Sequence, residues 1–267
     1  MQKTRVLALG CNGLLGFNFA KEAQEVIFKH QVTGKQMQLS LAQCRGYVLA
    51  ENVSATLDLP VFNNSAMDGF ALLYEDTMTA TENNPVQLKI IEEIWAGKLP
   101  QQEIAKGCCA RIMTGAPMPK GATAVVMQEY VTGDKDSITL TGPVKPKANI
   151  RFQGEEIETG DLLLAKGSLL NPAAISLLAS MGMTTCPVYE SPQVTIIPTG
   201  TELVPIDQKL GEAQIYESSS YALQAAMQEI GIQARVSKPV QDDQKALRET
   251  IESALSNSTH IIICGGV

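Results

Sequence analysis

The chain has 267 residues, 45% of them hydrophobic and 18% charged, which is enough to bury a large core in more than one folded unit. Its 21 basic and 28 acidic residues give a net charge of −7. Because there is no run of Lys or Arg that could follow a phosphate backbone, nucleic acid is not expected as a partner.

The N-terminal segment predicts a strand over Arg5–Leu9, then a glycine-rich turn and a helix over roughly 17–29. The glycines Gly10, Gly13 and Gly16 have the spacing of a dinucleotide-binding turn, in which backbone N–H groups approach a pyrophosphate. That motif also needs a second strand ending in an acidic residue about 20 residues later, and 28–34 contains no acid. An NAD-binding oxidoreductase therefore stays a secondary hypothesis, and an irregular lead-in to the helix is the alternative.

A second helix is predicted over Leu39–Glu51 from the near-helical spacing of Leu41, Val48 and Leu49. From residue 53 the pattern changes to short β-prone runs, separated by Gly, Pro, Asn and Asp. These runs are 87–91, 124–127 and 137–140. They predict an inserted, mostly-β domain over 53–146, between helical linker segments 1–52 and 147–190.

A further helix is predicted after Asn171, which can cap it, with Pro172 in its first turn and Gly182 closing it. Strands and helices then alternate: strands over 194–197, 234–239 and 260–263, helices over 218–230 and 243–256. This order predicts a βαβαβ domain with a parallel sheet over 191–267. Ligands of such sheets lie beyond the carboxyl ends of the strands, where Pro198–Glu202 and Cys264–Gly266 follow two of them. Three strands make a small sheet, so we interpret the chain as truncated within this domain.

The six cysteines lack paired metal-ligand spacing and the two histidines are isolated from them, which indicates neither a zinc site nor a disulfide framework. The adjacent Cys108 and Cys109 are interpreted as small buried hydrophobic residues. No segment reaches the ~18 consecutive apolar residues of a membrane span. A cytoplasmic protein without a membrane partner is expected.

Two loops carry residues suited to chemistry. In Asn64-Ser65-Ala66-Met67-Asp68-Gly69 a lone carboxylate precedes a glycine, a pair that by itself favours a turn. In Arg111-Ile112-Met113-Thr114-Gly115-Ala116-Pro117 a hydroxyl and free backbone N–H groups could bind an oxyanion.

Together with later motifs these loops resemble the molybdopterin molybdenumtransferase family, which includes the E domain of gephyrin, in order from about Ala20 to Val267. The further carriers of the resemblance are Val125-Val126-Met127-Gln128-Glu129, Asn149-Ile150-Arg151, Gly154-Glu155, Thr199-Gly200 with Glu202-Leu203, Gln214-Ile215-Tyr216 and Gly265-Gly266-Val267.

The resemblance implies a helical, elongated region interrupted by the β domain, then the α/β domain, with a C-terminal β-barrel absent from this chain. It implies a homodimer whose active cleft lies between the α/β domain of one subunit and the inserted domain of the other. The implied reaction inserts molybdate into adenylylated molybdopterin and releases AMP with Mg²⁺, and a molybdopterin adenylyltransferase-type protein is an expected partner.

By the same resemblance, each matching residue has an implied role. The catalytic candidates are Asp68, Thr114 and Glu202. The substrate-binding candidates are Ser65, Gly115, Thr199, Gly200, Glu217, Gly265 and Gly266. The metal candidates are Glu202, Glu217 and Glu156, since a hard cation prefers carboxylate oxygens.

The chain departs from the family pattern at several of these places. Asn63 and Thr201 stand where the family usually has acids, and Glu156 and Glu217 stand where it has Asp. Cys264 replaces a small hydroxylated residue. These departures motivate the alternative hypothesis of a non-catalytic relative that acts as a dimerisation or cofactor-binding scaffold.

Overall fold

A computed structural model describes residues 5–9, 24–29 and 33–265. The strands as far as residue 164 are β1 (Arg5–Leu9), β2 (Gln36–Ser40), β3 (Val53–Ser54), β4 (Asn64–Ser65), β5 (Gly69–Leu72), β6 (Val86–Ile94), β7 (Cys108–Ile112), β8 (Ala124–Met127), β9 (Thr132–Gly133), β10 (Ser137–Leu140), β11 (Ile150–Arg151) and β12 (Leu162–Leu164). Those that follow are β13 (Thr185–Tyr189), β14 (Val194–Pro198), β15 (Leu203–Val204), β16 (Ile215–Tyr216), β17 (Arg235–Val236) and β18 (His260–Cys264). The described helices are α1 (24–29), α2 (Pro172–Ser180), α3 (Ser219–Glu229) and α4 (Gln244–Leu255).

The contacts divide the chain into two compact units. Unit 1 comprises Met1–Asn52 and Ala165–Val267, and unit 2 is the continuous segment Val53–Leu164. Unit 2 extends past residue 146, because β11 pairs with β4 and β12 pairs with β3.

Unit 2 is built on a six-stranded sheet with the order β8-β5-β7-β6-β10-β9. Its neighbouring strands are antiparallel except β6 and β7, which are parallel. Alternate residues of β5 enter two separate cores: Phe70 and Leu72 pack with Leu88 and Ile138, whereas Ala71 packs with Ile112. Because side chains alternate along a strand, the sheet is covered on both faces.

The predicted β runs of unit 2 are confirmed. The runs 124–127 and 137–140 coincide with β8 and β10, and 87–91 lies within β6. The burial interpretation of Cys109 is also confirmed, since this side chain is fully buried in β7, and burial raises its pKa to about 12. Cys108 is only partly buried.

The predicted helix over Leu39–Glu51 is wrong. β2 occupies Gln36–Ser40 and pairs antiparallel with β13, and a 3-10 turn follows at Leu41–Gln43. Exposed and half-buried residues alternate along β2, which is the period of a strand. Val48 and Leu49 bridge to Leu169 and Val188, so their backbone groups bond to distant segments.

The helix α2 is confirmed together with its caps. The side chain of Asn171 accepts a hydrogen bond from the N–H of Ala174 at 2.8 Å, Pro172 opens the helix, and Gly182 follows it with φ 72°. The N–H of Gly182 donates to the carbonyl of Ala179 at 2.9 Å. Of the predicted N-terminal helix over 17–29, residues 24–29 are helical and the remainder lies outside the described residues.

The C-terminal part of unit 1 contains the predicted parallel sheet, with four strands rather than three. The order is β1-β18-β14-β17, because the predicted N-terminal strand pairs with β18 along its whole length, from Arg5 opposite His260 to Leu9 opposite Cys264. Ile196 packs with Leu223 of α3, and Ile197 packs with Ile251 of α4. Since successive residues of β14 point to opposite faces, the two helices cover opposite faces, which confirms the α/β character.

None of the helices within the described ranges is long and apolar enough to cross a membrane.

Candidate functional site

The ends of the two central strands of the parallel sheet lie side by side. Thr199, the residue after β14, donates from its N–H to the carbonyl of Cys264 at 2.7 Å, and its hydroxyl reaches the same oxygen at 3.2 Å. Thr199 is buried. The structure thus brings together the two predicted ligand loops, Pro198–Glu202 and the segment that follows Cys264, at one edge of the sheet.

Two glycines allow this close approach. Gly265 has φ 107°, and a Cβ there would lie 2.1 Å from the carbonyl oxygen of Thr199. A Cβ on Gly200 would lie 2.8 Å from a carboxylate oxygen of Glu202. Side chains at these positions would collide with the neighbouring loop atoms, so glycine lets the loops pack closely at this edge. Gly266 lies outside the described residues.

A third loop joins the edge, and the sequence argument missed it. Gly200 donates from its N–H to the carbonyl of Val240 at 2.9 Å. Oδ2 of Asp242 accepts hydrogen bonds from the N–H of Thr201 at 3.1 Å and from its hydroxyl at 3.2 Å. Two adjacent acids after the predicted strand 234–239 were the available signal. Asp243 caps the next helix by accepting from the N–H of Ala246 at 2.8 Å. Capping needs only one of the two acids, which leaves Asp242 for another role.

The two predicted acidic ligands of this edge have different surroundings. The carboxylate of Glu202 lies against Gly200 and is exposed. Glu217 is buried, with 4% of its surface exposed, and accepts hydrogen bonds from the N–H of Ser220 at 2.8 Å and from the Ser220 hydroxyl. Both oxygens of Glu217 therefore bind the first turn of α3.

The donors at this edge suit Mg²⁺ only as part of a larger shell. Among the described residues, no group of three or more His, Cys, Asp or Glu side chains could hold a metal ion. Mg²⁺ commonly takes one or two carboxylates and completes its shell with water and substrate phosphates. The carboxylates of Glu202 and Asp242, both hard oxygen donors on loops of the same edge, fit that requirement.

Unit 2 carries the second group of predicted site residues. Oδ1 of Asp68 accepts hydrogen bonds from the N–H and the hydroxyl of Thr114, both at 2.7 Å. The backbone N–H of Thr114, then its hydroxyl, lower the pKa of Asp68, and the charge of Arg111 acts in the same direction. Asp68 is thereby held as a carboxylate. The contact joins two loops that are far apart in sequence, since Thr114 lies in a different loop from Asp68.

Ser65 and Gly115 hold this pair in place. The N–H of Gly115 donates to the carbonyl of Ser65 at 2.8 Å, and the N–H of Ser65 donates to Ala116 at 3.0 Å. Ser65 is fully buried and its hydroxyl donates to the carbonyl of Met67 at 2.6 Å. Gly115 has φ 79°, which a residue with a side chain rarely adopts. The roles of Ser65 and Gly115 in the structure are thus to join the two loops.

Asn63 has a structural contact: its Oδ1 accepts from the N–H of Gln153 at 2.8 Å. Its neighbour Asn64 is buried, and Oδ1 of Asn64 has no hydrogen-bond partner among the described residues. Glu156 lies in the exposed turn that follows β11, where its N–H donates to Leu59 at 3.0 Å.

A parallel α/β sheet with glycine-bearing loops at its carboxyl edge defines a class of ligand-binding α/β proteins, and this chain adds a separate β unit with an Asp–Thr pair. Residues 195–267 match the family described as a probable molybdopterin binding domain. Residues 20–182 match the MoeA N-terminal region, domains I and II. The chain belongs to the MoeA family, which confirms the resemblance drawn from its motifs.

Similar proteins support this assignment. The chain is 37% identical over 247 residues to a molybdopterin molybdenumtransferase of Staphylococcus epidermidis, covering 92% of this chain and 59% of the relative. It is also 37% identical to molybdopterin molybdenumtransferase 2 of Mycobacterium tuberculosis, of which it covers 61%. A crystal structure of a molybdopterin biosynthesis MoeA protein from Pyrococcus horikoshii superposes with a TM-score of 0.78 at 32% identity, over 92% of this chain and 63% of that one. The chain thus spans about three fifths of the length of these relatives.

Proposed function

We propose that this protein acts in molybdenum-cofactor biosynthesis as a molybdopterin molybdenumtransferase, which inserts molybdate into adenylylated molybdopterin and releases AMP. The observation that carries the proposal is the carboxyl edge of the parallel sheet, where Thr199, Gly200 and Gly265 bring the loops after β14 and β18 into close backbone contact. The names of the similar proteins support the same activity.

In this proposal the acidic residues of the edge serve the phosphate end of the substrate. Splitting a phosphoanhydride needs neutralisation of negative charge, which a bound Mg²⁺ supplies. Glu202 and Asp242 would hold the ion, together with phosphate and water oxygens. Glu217 instead fixes the start of α3, since both its oxygens bind Ser220. The predicted metal role of Glu156 stays a prediction.

Asp68 and Thr114 would act in unit 2 as one fixed pair. The hydroxyl and N–H of Thr114 are both bound to one oxygen of Asp68. An anion such as molybdate cannot bind beside the carboxylate unless donors outweigh the repulsion, so we assign Asp68 to holding Thr114 in one orientation. The predicted free N–H donors of this loop are not found: the N–H of Thr114 is bound to Asp68, that of Gly115 to the Ser65 carbonyl and that of Ala116 to the Met113 carbonyl.

The test is release of AMP from adenylylated molybdopterin in the presence of Mg²⁺ and molybdate. We expect Asp68→Ala to lower the rate at least tenfold without unfolding the protein. Asp134→Ala is the matched control, because Asp134 likewise accepts two backbone hydrogen bonds in a turn of unit 2, from Asp136 at 2.8 Å and Ser137 at 2.9 Å. Equal rates in the two variants would return Asp68 to a structural role.

The alternative is a non-catalytic relative that binds the cofactor as a scaffold, motivated by Asn63 and Thr201. It predicts tight binding of adenylylated molybdopterin without AMP release. The homodimer is part of both hypotheses, and light scattering on the purified protein measures it.

A further inference from the structure

Thr201 and Asp242 form a pair between two loops of the ligand edge. Three hydrogen bonds join the two residues. The N–H and the hydroxyl of Thr201 donate to Oδ2 of Asp242 at 3.1 and 3.2 Å, and the N–H of Asp242 donates to Oγ1 of Thr201 at 3.2 Å. The hydroxyl thus donates and accepts at the same time.

We propose that Thr201 is a positioning residue for Asp242. Their three hydrogen bonds, here called the clasp, join the loop after β14 to the loop after β17 and hold the Asp242 carboxylate at the ligand edge. The role of Asp242 in cation binding rests on the proposed function, whereas the clasp itself is a property of the two loops. The uncharged side chain of Thr201 thus holds the carboxylate of Asp242 in one position.

The chemistry of the clasp decides which side chains can form it. Ser has the same hydroxyl and can both donate and accept. Val has the shape of Thr but no hydroxyl, so only the backbone N–H of residue 201 would still reach Asp242. An ionised Asp at 201 can accept from the N–H of Asp242, but it cannot donate to a carboxylate. It would also place two like charges in contact, which repel at this distance.

The clasp occupies one oxygen of Asp242 and not the other. Both donors from Thr201 meet Oδ2, and Oδ1 has no hydrogen bond within the described part of the chain. Oδ1 is therefore available to a cation or to a donor on the substrate. Fixing the carboxylate before the ligand arrives reduces the conformational freedom lost on binding, as other preorganised sites do.

Thr201→Asp adds a carboxylate to the edge, and a simple count of charges expects tighter cation binding. The clasp expects weaker binding, because the new carboxylate cannot donate to Asp242 and repels it.

Two measurements on the full chain test it, in the wild type and in Thr201→Ser, Thr201→Val and Thr201→Asp. The first is amide hydrogen exchange at residues 201 and 242, with the β6 amides as an internal reference for global unfolding. We expect exchange at residue 242 to be about tenfold faster in the Val variant, which removes the acceptor of this N–H, and unchanged in the Ser variant. Unchanged exchange in the Val variant, with the β6 reference intact, would overturn the clasp.

The second measurement is binding of Mn²⁺, as a probe for Mg²⁺, in the presence of AMP by electron paramagnetic resonance. We expect Thr201→Ser to bind like the wild type, and the Val and Asp variants to bind about fivefold to tenfold more weakly. Binding by Thr201→Asp as tight as in the wild type, or tighter, would refute the positioning role. If the wild type itself binds no Mn²⁺, the cation part of the proposed function fails, and hydrogen exchange alone decides the clasp.

Discussion

Gly69 offers the sharpest test of how unit 2 supports Asp68. It is the first residue of β5, directly after Asp68, and lies opposite Met127 of β8. A Cβ built on Gly69 would lie 2.0 Å from the carbonyl oxygen of Val126 and 3.1 Å from the Cα of Met127. Both atoms belong to the backbone of a buried strand, so a rotamer change cannot relieve the clash.

The expected cost of Gly69→Ala follows from this geometry. Inserting one methyl group into a packed interior typically costs 1–3 kcal/mol, and the upper end applies where backbone must move. We therefore expect a loss of about 3 kcal/mol in the free energy of unfolding of unit 2. With a urea m-value of about 2 kcal/mol/M, the midpoint falls by about 1.5 M.

The assay is urea unfolding followed by the fluorescence of Trp95, the single tryptophan of the chain, which lies in unit 2. Gly142→Ala is the matched control, because no atom lies within 4 Å of a Cβ at that position. It should change stability by no more than about 0.5 kcal/mol. If both variants unfold at the same urea concentration, the close approach of β5 and β8 does not constrain position 69.

Three further substitutions or probes address single contacts. Thr114→Val removes the hydroxyl donor to Asp68 and should raise the pKa of Asp68. The stabilisation from this carboxylate is then lost at a higher pH on acidification. A ¹³C NMR titration of the Asp68 carboxyl group measures the pKa, and an unshifted titration contradicts the assignment. The sign follows because a lowered folded-state pKa stabilises above the unfolded pKa, and this stability is lost as the pH falls through the folded pKa. Asn171→Ala should cost about 1 kcal/mol in thermal unfolding by leaving the N–H of Ala174 without its cap, whereas Asn171→Ser should cost far less. Cys109, with a pKa of about 12, has roughly one part in 10⁴ of thiolate at pH 8, so a disulfide reagent should leave it unmodified in the folded protein; labelling as fast as in denaturant would show that the strand opens.

The elements that the sequence predicted best are those whose pattern is local. The strands β8 and β10 and the caps of α2 depend on residues within a few positions, and each was placed correctly. The segment Leu39–Glu51 failed because three apolar residues at near-helical spacing carry little information when their partners lie at β13 and at Leu169. Tertiary pairing overrode local propensity there.

The candidate site divides in the same way. The loops after β14 and β18 could be placed at one edge, since parallel strands end on the same side. Asp242 could not be recognised, because its partner Thr201 comes from a distant loop and an acid pair before a helix is already explained by capping. Nor could the sequence show that both oxygens of Glu217 are taken by Ser220. Side-chain hydrogen bonds depend on atomic distances that residue spacing does not determine.

The pairing of β1 with β18 determines the order in which the protein can be completed during synthesis. Unit 2 is continuous, so every strand of its sheet has left the ribosome before β13 is made. Unit 1 cannot complete its sheets so early, because β2 pairs with β13 and β1 pairs with β18, and both partners are made later. A nascent chain that pauses after unit 2 has left the ribosome, but before β13 and β18 have emerged, would therefore carry a folded β unit beside two strands without partners, the state in which unpaired backbone is most prone to aggregate.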